Sequence, residues 1–333
     1  MTNLLTLAQK PPDNPTSFEV IEQYERYEIT LIDHDYAGST PTIWNTLHRH
    51  FKIGGIMAMA VGNPADTVGI LSSFKNNPKY IGGGVGAGFK EAVIPHLDET
   101  TPIAKAMGAV NIIRRLPSGR LAGDNTDGLG YVKSLEKLFA EQGRDITGAK
   151  VLILGAGGSG RAIAFALAQK GVHITILNRT EAKAEELAQA VNDFIGSKVA
   201  TGGGRLLIPE VLPLQDAVVS VVDDAHSPLD EYSPLGDMAL PVTPNSIKQN
   251  REQTAELLSQ AKPTLIVSDI RIRKEETPML ADARKRKMLV LNGIPMVVNQ
   301  GVAAFWWVYR DKLEELDVER ADVEDVVWRV VEL

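Results

Sequence analysis

The chain has 333 residues, enough for two domains at roughly 150 each, and 44% are apolar, enough for both cores. With 35 Lys and Arg against 42 Asp and Glu the formal charge is -7, and no basic block is present to follow a phosphate backbone, so nucleic acid is not an expected partner. Cysteine is absent, which removes disulfides, thiolate nucleophiles and thiolate metal sites, and no run approaches the ~18 apolar residues of a membrane span.

Residues 1–30 carry Pro11, Pro12 and Pro15 among polar residues and read as an arm laid over the surface or partly mobile. Their opening lacks a basic start before a long apolar core, so the expectation is an untargeted, cytoplasmic protein. A first domain over 31–128 follows. YEITLIDHDY reads as a strand, and Pro41 stands in the first turn of a helix through TIWNTLHRHF. IGGIMAMAV then reads as a strand, GNPADTVGILSSFKNN as a helix, and KYIGGGV as a strand entering a glycine-dense turn. This alternation predicts an α/β domain with a mainly parallel sheet. Thr101 and Pro102 open a short helix, AVNIIRR and GRLAGDN form a hairpin-like pair, and Asn125 to Gly128 punctuate the end.

A second α/β domain is expected over 129–290. Strand KVLILG, a glycine turn, helix RAIAFALAQKG and strand HITILN succeed one another within about 30 residues, the span of one βαβ unit. Further strands at AVVSVV and TLIVSDI, with helices at EAKAEELAQAVNDF and REQTAELLSQA, predict a doubly wound, Rossmann-like sheet. His226 to Asn250, rich in Pro, Ser and Asp, reads as an inserted loop. Residues 291–333 form helices returning to the first domain, and the aromatic face of Phe305, Trp306 and Tyr309 predicts core packing there.

Gly155, Gly157 and Gly160 hold G-x-G-x-x-G spacing between strand and helix, with Gly158 and Ser159 as further small residues. Such glycines permit a tight turn, let backbone N–H groups approach a pyrophosphate, and aim a helix N-terminus at its charge. At the end of the next strand an NAD-selecting fold carries Asp or Glu. This chain has Asn178, Arg179 and Thr180, with Lys183 one turn on. A guanidinium, an ammonium and a hydroxyl suit a 2′-phosphate, so NADP is the expected cofactor.

Three strings in the first half, GGGVGAGFKEAVIPHLDE, GAVNII and GDNTDG, join VLILGAGGSGRA, NRT and GIPMVVNQG in a characteristic order. Together, over Leu31 to Trp307, they resemble the shikimate/quinate dehydrogenase family. The resemblance implies an NADP-dependent oxidoreductase with a substrate-binding α/β domain and a Rossmann-like domain. Its reaction is reversible hydride transfer between nicotinamide and a ring alcohol or ketone such as shikimate and 3-dehydroshikimate. It implies a monomer or homodimer acting in aromatic amino acid biosynthesis on a small molecule. It also implies Lys90 and Asp127 as the catalytic pair, and substrate contacts from Ser39, Thr40, Asn111 and Gln300. Cofactor contacts are implied at the glycine turn and its basic partners, and at Val222, Gly293 and Met296. By residue type alone, Lys90 reads equally as a solvated helix start and Asp127 as a cap.

The departures from the family pattern fall on the substrate side. A hydroxyl position is Gly38, a histidine is Trp44, and the Asn-Val-Thr-x-Pro stretch before the lysine is Gly84 to Gly88. A tyrosine is Ile272, and a cofactor-side Asn-Ala-Thr is Ser220, Val221 and Val222. Poor recognition of shikimate itself follows as an expectation, with backbone N–H groups of the glycine turn, or Arg271 or Arg273, supplying part of the anion site. Two other readings stay open: a non-catalytic ligand-binding or regulatory homologue, and a reductase of an amino or carboxylate-lacking analogue. His48 and His50 fall on different helix faces and nothing has zinc-ligand spacing, so no metal is expected.

Overall fold

The computed structural model describes residues 4–86, 88–223, 227–232, 243–273 and 275–331. They form two compact units, Met1–Thr126 with Val298–Leu333, and Asp127–Val297.

The first unit comprises β1 (Leu5–Leu7), α1 (Phe18–Glu22), β2 (Arg26–Ile32), α2 (Thr40–Phe51), β3 (Gly55–Gly62), α3 (Thr67–Asn76), β4 (Tyr80–Gly84), β5 (Glu99–Thr100), α4 (Pro102–Met107), β6 (Ile112–Arg115) and β7 (Leu121–Asp124). Its seven strands are ordered β1-β3-β2-β4-β6-β7-β5. The central trio β3, β2 and β4 is parallel, as βα alternation demands, whereas β6 and β7 form the antiparallel hairpin that their short connection allows. The opening residues differ from the expected arm. Leu5–Leu7 pairs antiparallel with β3, Leu5 opposite Gly62 and Leu7 opposite Ala60. The reason is the alternation Leu-Thr-Leu, which buries both leucines and leaves Thr6 outside. Farther along, the Asn14 side chain receives a bond from Met59 N at 2.7 Å and donates to Ala8 O, tying the proline-rich stretch to the same strand.

The second unit comprises α5 (Asp127–Glu141), β8 (Lys150–Leu154), α6 (Gly158–Gln169), β9 (His173–Leu177), α7 (Glu181–Ile195), β10 (Ala200–Gly203), α8 (Ile208–Val211), β11 (Ala217–Ser220), α9 (Pro228–Tyr232), α10 (Pro244–Ser259), β12 (Ile266–Asp269), α11 (Pro278–Lys285) and β13 (Leu289–Leu291). Its sheet runs β10-β9-β8-β11-β12-β13, every pair parallel. This is the doubly wound order, with β8 at the point where the winding reverses. Val151 to Leu154 are buried throughout, as strands covered on both faces require. The stretch 226–250 is not simply a loop. Pro228–Tyr232 is helical, and α10 starts at Pro244 because Thr243 and Ser246 form a reciprocal capping box. His226 and residues 233–242 of that stretch lie outside the described residues.

Two further helices follow, α12 (Ile294–Glu315) and α13 (Arg320–Val331). The aromatic face of α12 enters the first unit's core. Phe305 packs edge-on against Trp44 with centroids 5.0 Å apart, and Tyr309 lies against His48. Tyr309 donates to the buried Glu28 carboxylate, which His48 Nε2 meets at 3.1 Å. Trp306 is only half-buried. Among the described residues no helix is long and apolar enough to cross a membrane, and no group of three His, Cys, Asp or Glu is arranged to hold a metal.

Candidate active site

In the first unit, the chain leaving β4 turns through Gly86 and Gly88 and is pinned by Phe89, which is fully buried. Lys90 follows immediately, half-buried, and its carbonyl accepts from Val110 N at 2.9 Å. That bond ties Lys90 to the entry of β6, where Asn111 stands. Asn111 is itself fixed on several sides. Its backbone N donates to Asp124 O, and its carbonyl accepts from Val85 N. Its side-chain Oδ1 accepts from Thr126 N at 2.9 Å while Nδ2 donates to Thr126 Oγ1 at 3.1 Å. Gln300 Oε1, on α12, stands 3.5 Å from the same Nδ2. Three positions singled out in the sequence, 90, 111 and 300, are thus brought into one neighbourhood by strand pairing and α12. Thr126, which holds Asn111, carried no signal beyond its place in Asn-Thr-Asp-Gly.

Ser39 and Thr40 stand at the N-terminus of α2. Ser39 is the N-cap, but its hydroxyl makes no capping bond, so the side chain is free of that structural duty. Trp44, one turn on, is buried and packs on Phe305, which makes it a core residue. The sequence offered no reason to single out Tyr36, yet its ring lies between Gly38 and Gly86. A Cβ on Gly38 would stand 3.1 Å from Tyr36 Cε2, and one on Gly86 would stand 3.6 Å from the Tyr36 hydroxyl. Burial pushes the Tyr36 phenol up, the nearby Lys90 charge pulls it back, and Asp33 raises it further, with a net rise.

In the second unit, the turn from β8 into α6 has the geometry of a phosphate cradle. Gly155 adopts φ +115°, and a Cβ there would meet Val221 Cγ2 and Val222 Cγ1 at 2.8 Å. A Cβ on Gly160 would stand 2.3 Å from Gly155 O, so only glycine lets α6 pack this closely on the strand. At Gly157 and Gly158 no atom lies within 4 Å of that point, and both are exposed, with Ser159 half-buried behind them. Asn178 braces the turn, its Oδ1 accepting from Ala156 N at 3.3 Å and its Nδ2 donating to Thr180 O. Arg179, Thr180 and Lys183 are exposed at the end of β9, and Thr180 caps α7 without using its hydroxyl. No carboxylate occupies residues 178–180. These residues therefore fit a dinucleotide carrying a 2′-phosphate.

Other positions in this unit also meet packing requirements. Gly293 is required because a Cβ would stand 2.0 Å from Ile270 O, and Met296 is buried. Asp127 begins α5, and the next residue, Gly128, lets α5 touch α6, since a Cβ there would stand 2.0 Å from Ala162 O. The two arginines entertained as anion-site cations are committed within the unit. Arg271, its side chain 8% exposed, forks onto the fully buried Asp269 through Nε and Nη2, and Arg273 pairs with Asp223 at 2.6 Å. A buried carboxylate left unpaired is costly, so Arg271 is a structural counter-ion. Ile272, between them, is exposed.

Comparison with known proteins agrees with this arrangement. Residues 36–113 match the substrate-binding domain of shikimate dehydrogenase, and residues 137–200 match shikimate/quinate 5-dehydrogenase. The shikimate dehydrogenase (NADP(+)) of Geobacillus sp. (strain WCH70) is 38% identical over 218 residues, 65% of this chain and 68% of that protein. The chain belongs to the shikimate/quinate dehydrogenase family. Its fold is likewise similar to shikimate dehydrogenase from Aquifex aeolicus, with a TM-score of 0.66 and 26% identity over 92% of this chain and 98% of that one. The shikimate 5-dehydrogenase of Thermus thermophilus, solved with NADP(H) and shikimate, gives a TM-score of 0.64 and 25% identity over 92% of this chain and 99% of that one.

Proposed function

We propose that this chain is an NADP-dependent dehydrogenase of the shikimate/quinate type, interconverting a ring alcohol and its ketone. The observation that carries this reading is the joint anchoring of Lys90 and Asn111: Val110 N bonds Lys90 O, and the next residue presents the amide that Thr126 orients. Backbone bonds thus anchor both residues in one neighbourhood, from which an amine and an amide would serve one reacting oxygen. A binding protein has no use for an amine at that place, which disfavours the regulatory alternative.

Bound at the Gly157–Gly158 turn, NADP(H) supplies or takes up the hydride. When an alcohol is oxidised, the Lys90 amine takes the hydroxyl proton as the carbon loses hydride, leaving a ketone. When a ketone is reduced, the Lys90 ammonium returns that proton to the new alkoxide oxygen. The family resemblance assigns Asp127 as the second member of the catalytic pair. Asn111 and Gln300 hold ring hydroxyls, and Ser39 and Thr40 with the N-terminus of α2 face the substrate's anionic end. Arg179, Thr180 and Lys183 select the 2′-phosphate.

The test is direct. Purified protein with NADP⁺ or NADPH is screened against shikimate, quinate, their dehydro forms and amino analogues while absorbance of the reduced nicotinamide is followed. Turnover of a ring acid is expected. Binding of these acids without turnover would return the regulatory reading, and turnover confined to amino analogues would reassign the substrate.

A further inference from the structure

Two positions in the first unit lack side chains, and one aromatic side chain stands against both of them. Gly38 leads into α2, and Gly86 lies in the turn before Lys90. The space beyond Gly38 is taken by Met59 Cε and Sδ at 2.8 Å and by Tyr36 Cε2 at 3.1 Å from a would-be Cβ. On the other side, a Cβ at Gly86 would meet Ile32 Cγ2 at 2.8 Å and Leu31 O at 3.0 Å before reaching the Tyr36 hydroxyl. Gly86 N also donates to Leu31 O at 2.7 Å, which presses the turn onto β2 and the segment carrying Tyr36. Gly38 N donates to Tyr36 O at 2.9 Å, so the tyrosine's own backbone is locked to the glycine its ring covers.

We propose that Tyr36 is a substrate-binding residue whose phenol donates a hydrogen bond to the carboxylate of a cyclic hydroxy acid, doing for this chain what hydroxyls at positions 38 and 86 would otherwise do. This rests on the functional reading above. Among the described residues no hydrogen bond takes the Tyr36 hydroxyl, and the residue is 38% exposed. Its raised pKa keeps it protonated, and therefore a donor, at neutral pH. The surroundings sort by charge. Asp33, the nearby acid, is engaged by His34 Nδ1 at 2.6 Å. Toward α2 lie the uncommitted Ser39 hydroxyl, Thr40 and the positive end of a 12-residue helix. A carboxylate set there meets donors from Tyr36, Ser39 and Thr40 together. The loss of two hydroxyls at 38 and 86 thus makes room for one longer donor from outside both segments.

The experiment uses the whole protein with NADP⁺ and whichever of shikimate and quinate it oxidises faster, beside the methyl ester of the same acid. For Tyr36→Phe, kcat/KM for the acid should fall about tenfold to a hundredfold, chiefly through KM, while the ester changes less than twofold. NADP⁺ affinity should be unchanged. Gly38→Ser alone should be impaired by collision with Met59 and with the Tyr36 ring, and Tyr36→Ala combined with Gly38→Ser, which opens one side of that space, should recover part of the lost acid preference. Equal losses on acid and ester, or an unaffected Tyr36→Phe variant of an active enzyme, would overturn the assignment and leave the dehydrogenase reading standing. A wild-type protein that neither binds nor oxidises either acid would overturn both.

Discussion

Asn111 and Thr126 hold each other through two reciprocal hydrogen bonds, Thr126 N to Asn111 Oδ1 at 2.9 Å and Asn111 Nδ2 to Thr126 Oγ1 at 3.1 Å. Both residues are buried, 8% and 3% exposed, so the amide cannot rotate to trade these partners for water. One N–H of Asn111 is oriented by the threonine and the amide plane is set by the backbone. Thr126→Val keeps the shape and deletes only the hydroxyl. KM for the ring acid should rise about threefold to tenfold with kcat changed less, because a loosely held amide mainly loses ground-state grip. Steady-state kinetics at saturating NADP⁺ measure this, and the unfolding temperature should fall by a few degrees because a buried donor loses its acceptor.

Lys90→Ala and Asp127→Asn should each lower kcat by about a hundredfold to ten-thousandfold, the usual contribution of a placed acid-base group. Cofactor binding, measured by nicotinamide fluorescence, should remain as in the wild type. Loss of cofactor binding with retained kcat would place the proton-transfer group elsewhere.

Arg179 is exposed at the end of β9 beside Thr180 and Lys183. Arg179→Ala should weaken NADPH about tenfold to a hundredfold, the worth of charge-assisted bonds to a phosphate, and NADH less than threefold. Titration of both reduced cofactors into both proteins separates a 2′-phosphate reader from a solvated surface residue, for which the two losses would be equal.

Asp216 joins the lower ends of the second sheet. It accepts from Lys150 N at 2.8 Å, Arg144 Nη2 at 2.6 Å and Lys262 Nζ at 2.8 Å. Burial works against its charge, but the bonds from Lys262 and Lys150 and the charges of Lys262 and Arg144 outweigh it, so its carboxyl is held below the usual range. A lowered folded-state pKa adds stability that is present above the unfolded pKa of about 3.9 and is lost as pH falls through the folded value. Asp216→Asn should therefore cost about 1–3 kcal/mol at pH 7, with the gap to wild type closing as pH drops below about 4. Denaturant melts across pH would show it.

The glycine turn was legible in the chain because its requirements are local: Gly155, Gly157 and Gly160 lie within six residues between a strand and a helix, and their spacing reports a βα junction directly. The absent carboxylate at 178–180 was equally plain, since the end of β9 follows from the length of one βαβ unit. Lys90, Asp127, Asn111 and Gln300 could be named only because their strings resemble a family; nothing in residue type separates them from a solvated lysine or a cap. Other features depended on partners far along the chain. Leu5–Leu7 looked like part of an arm because its pairing partner, β3, begins about fifty residues later. Arg271 looked available until Asp269 was seen beneath it, fully buried and in need of a cation. Tyr36 was silent for the same reason. Its significance lies in reaching Gly38 and Gly86 at once, and two glycines fifty residues apart announce no shared neighbour until β2 and β4 pair and bring their following loops together. Local backbone preference is written in spacing, whereas the choice of a long-range partner is made by sheet register and burial, which exist only once the chain has folded.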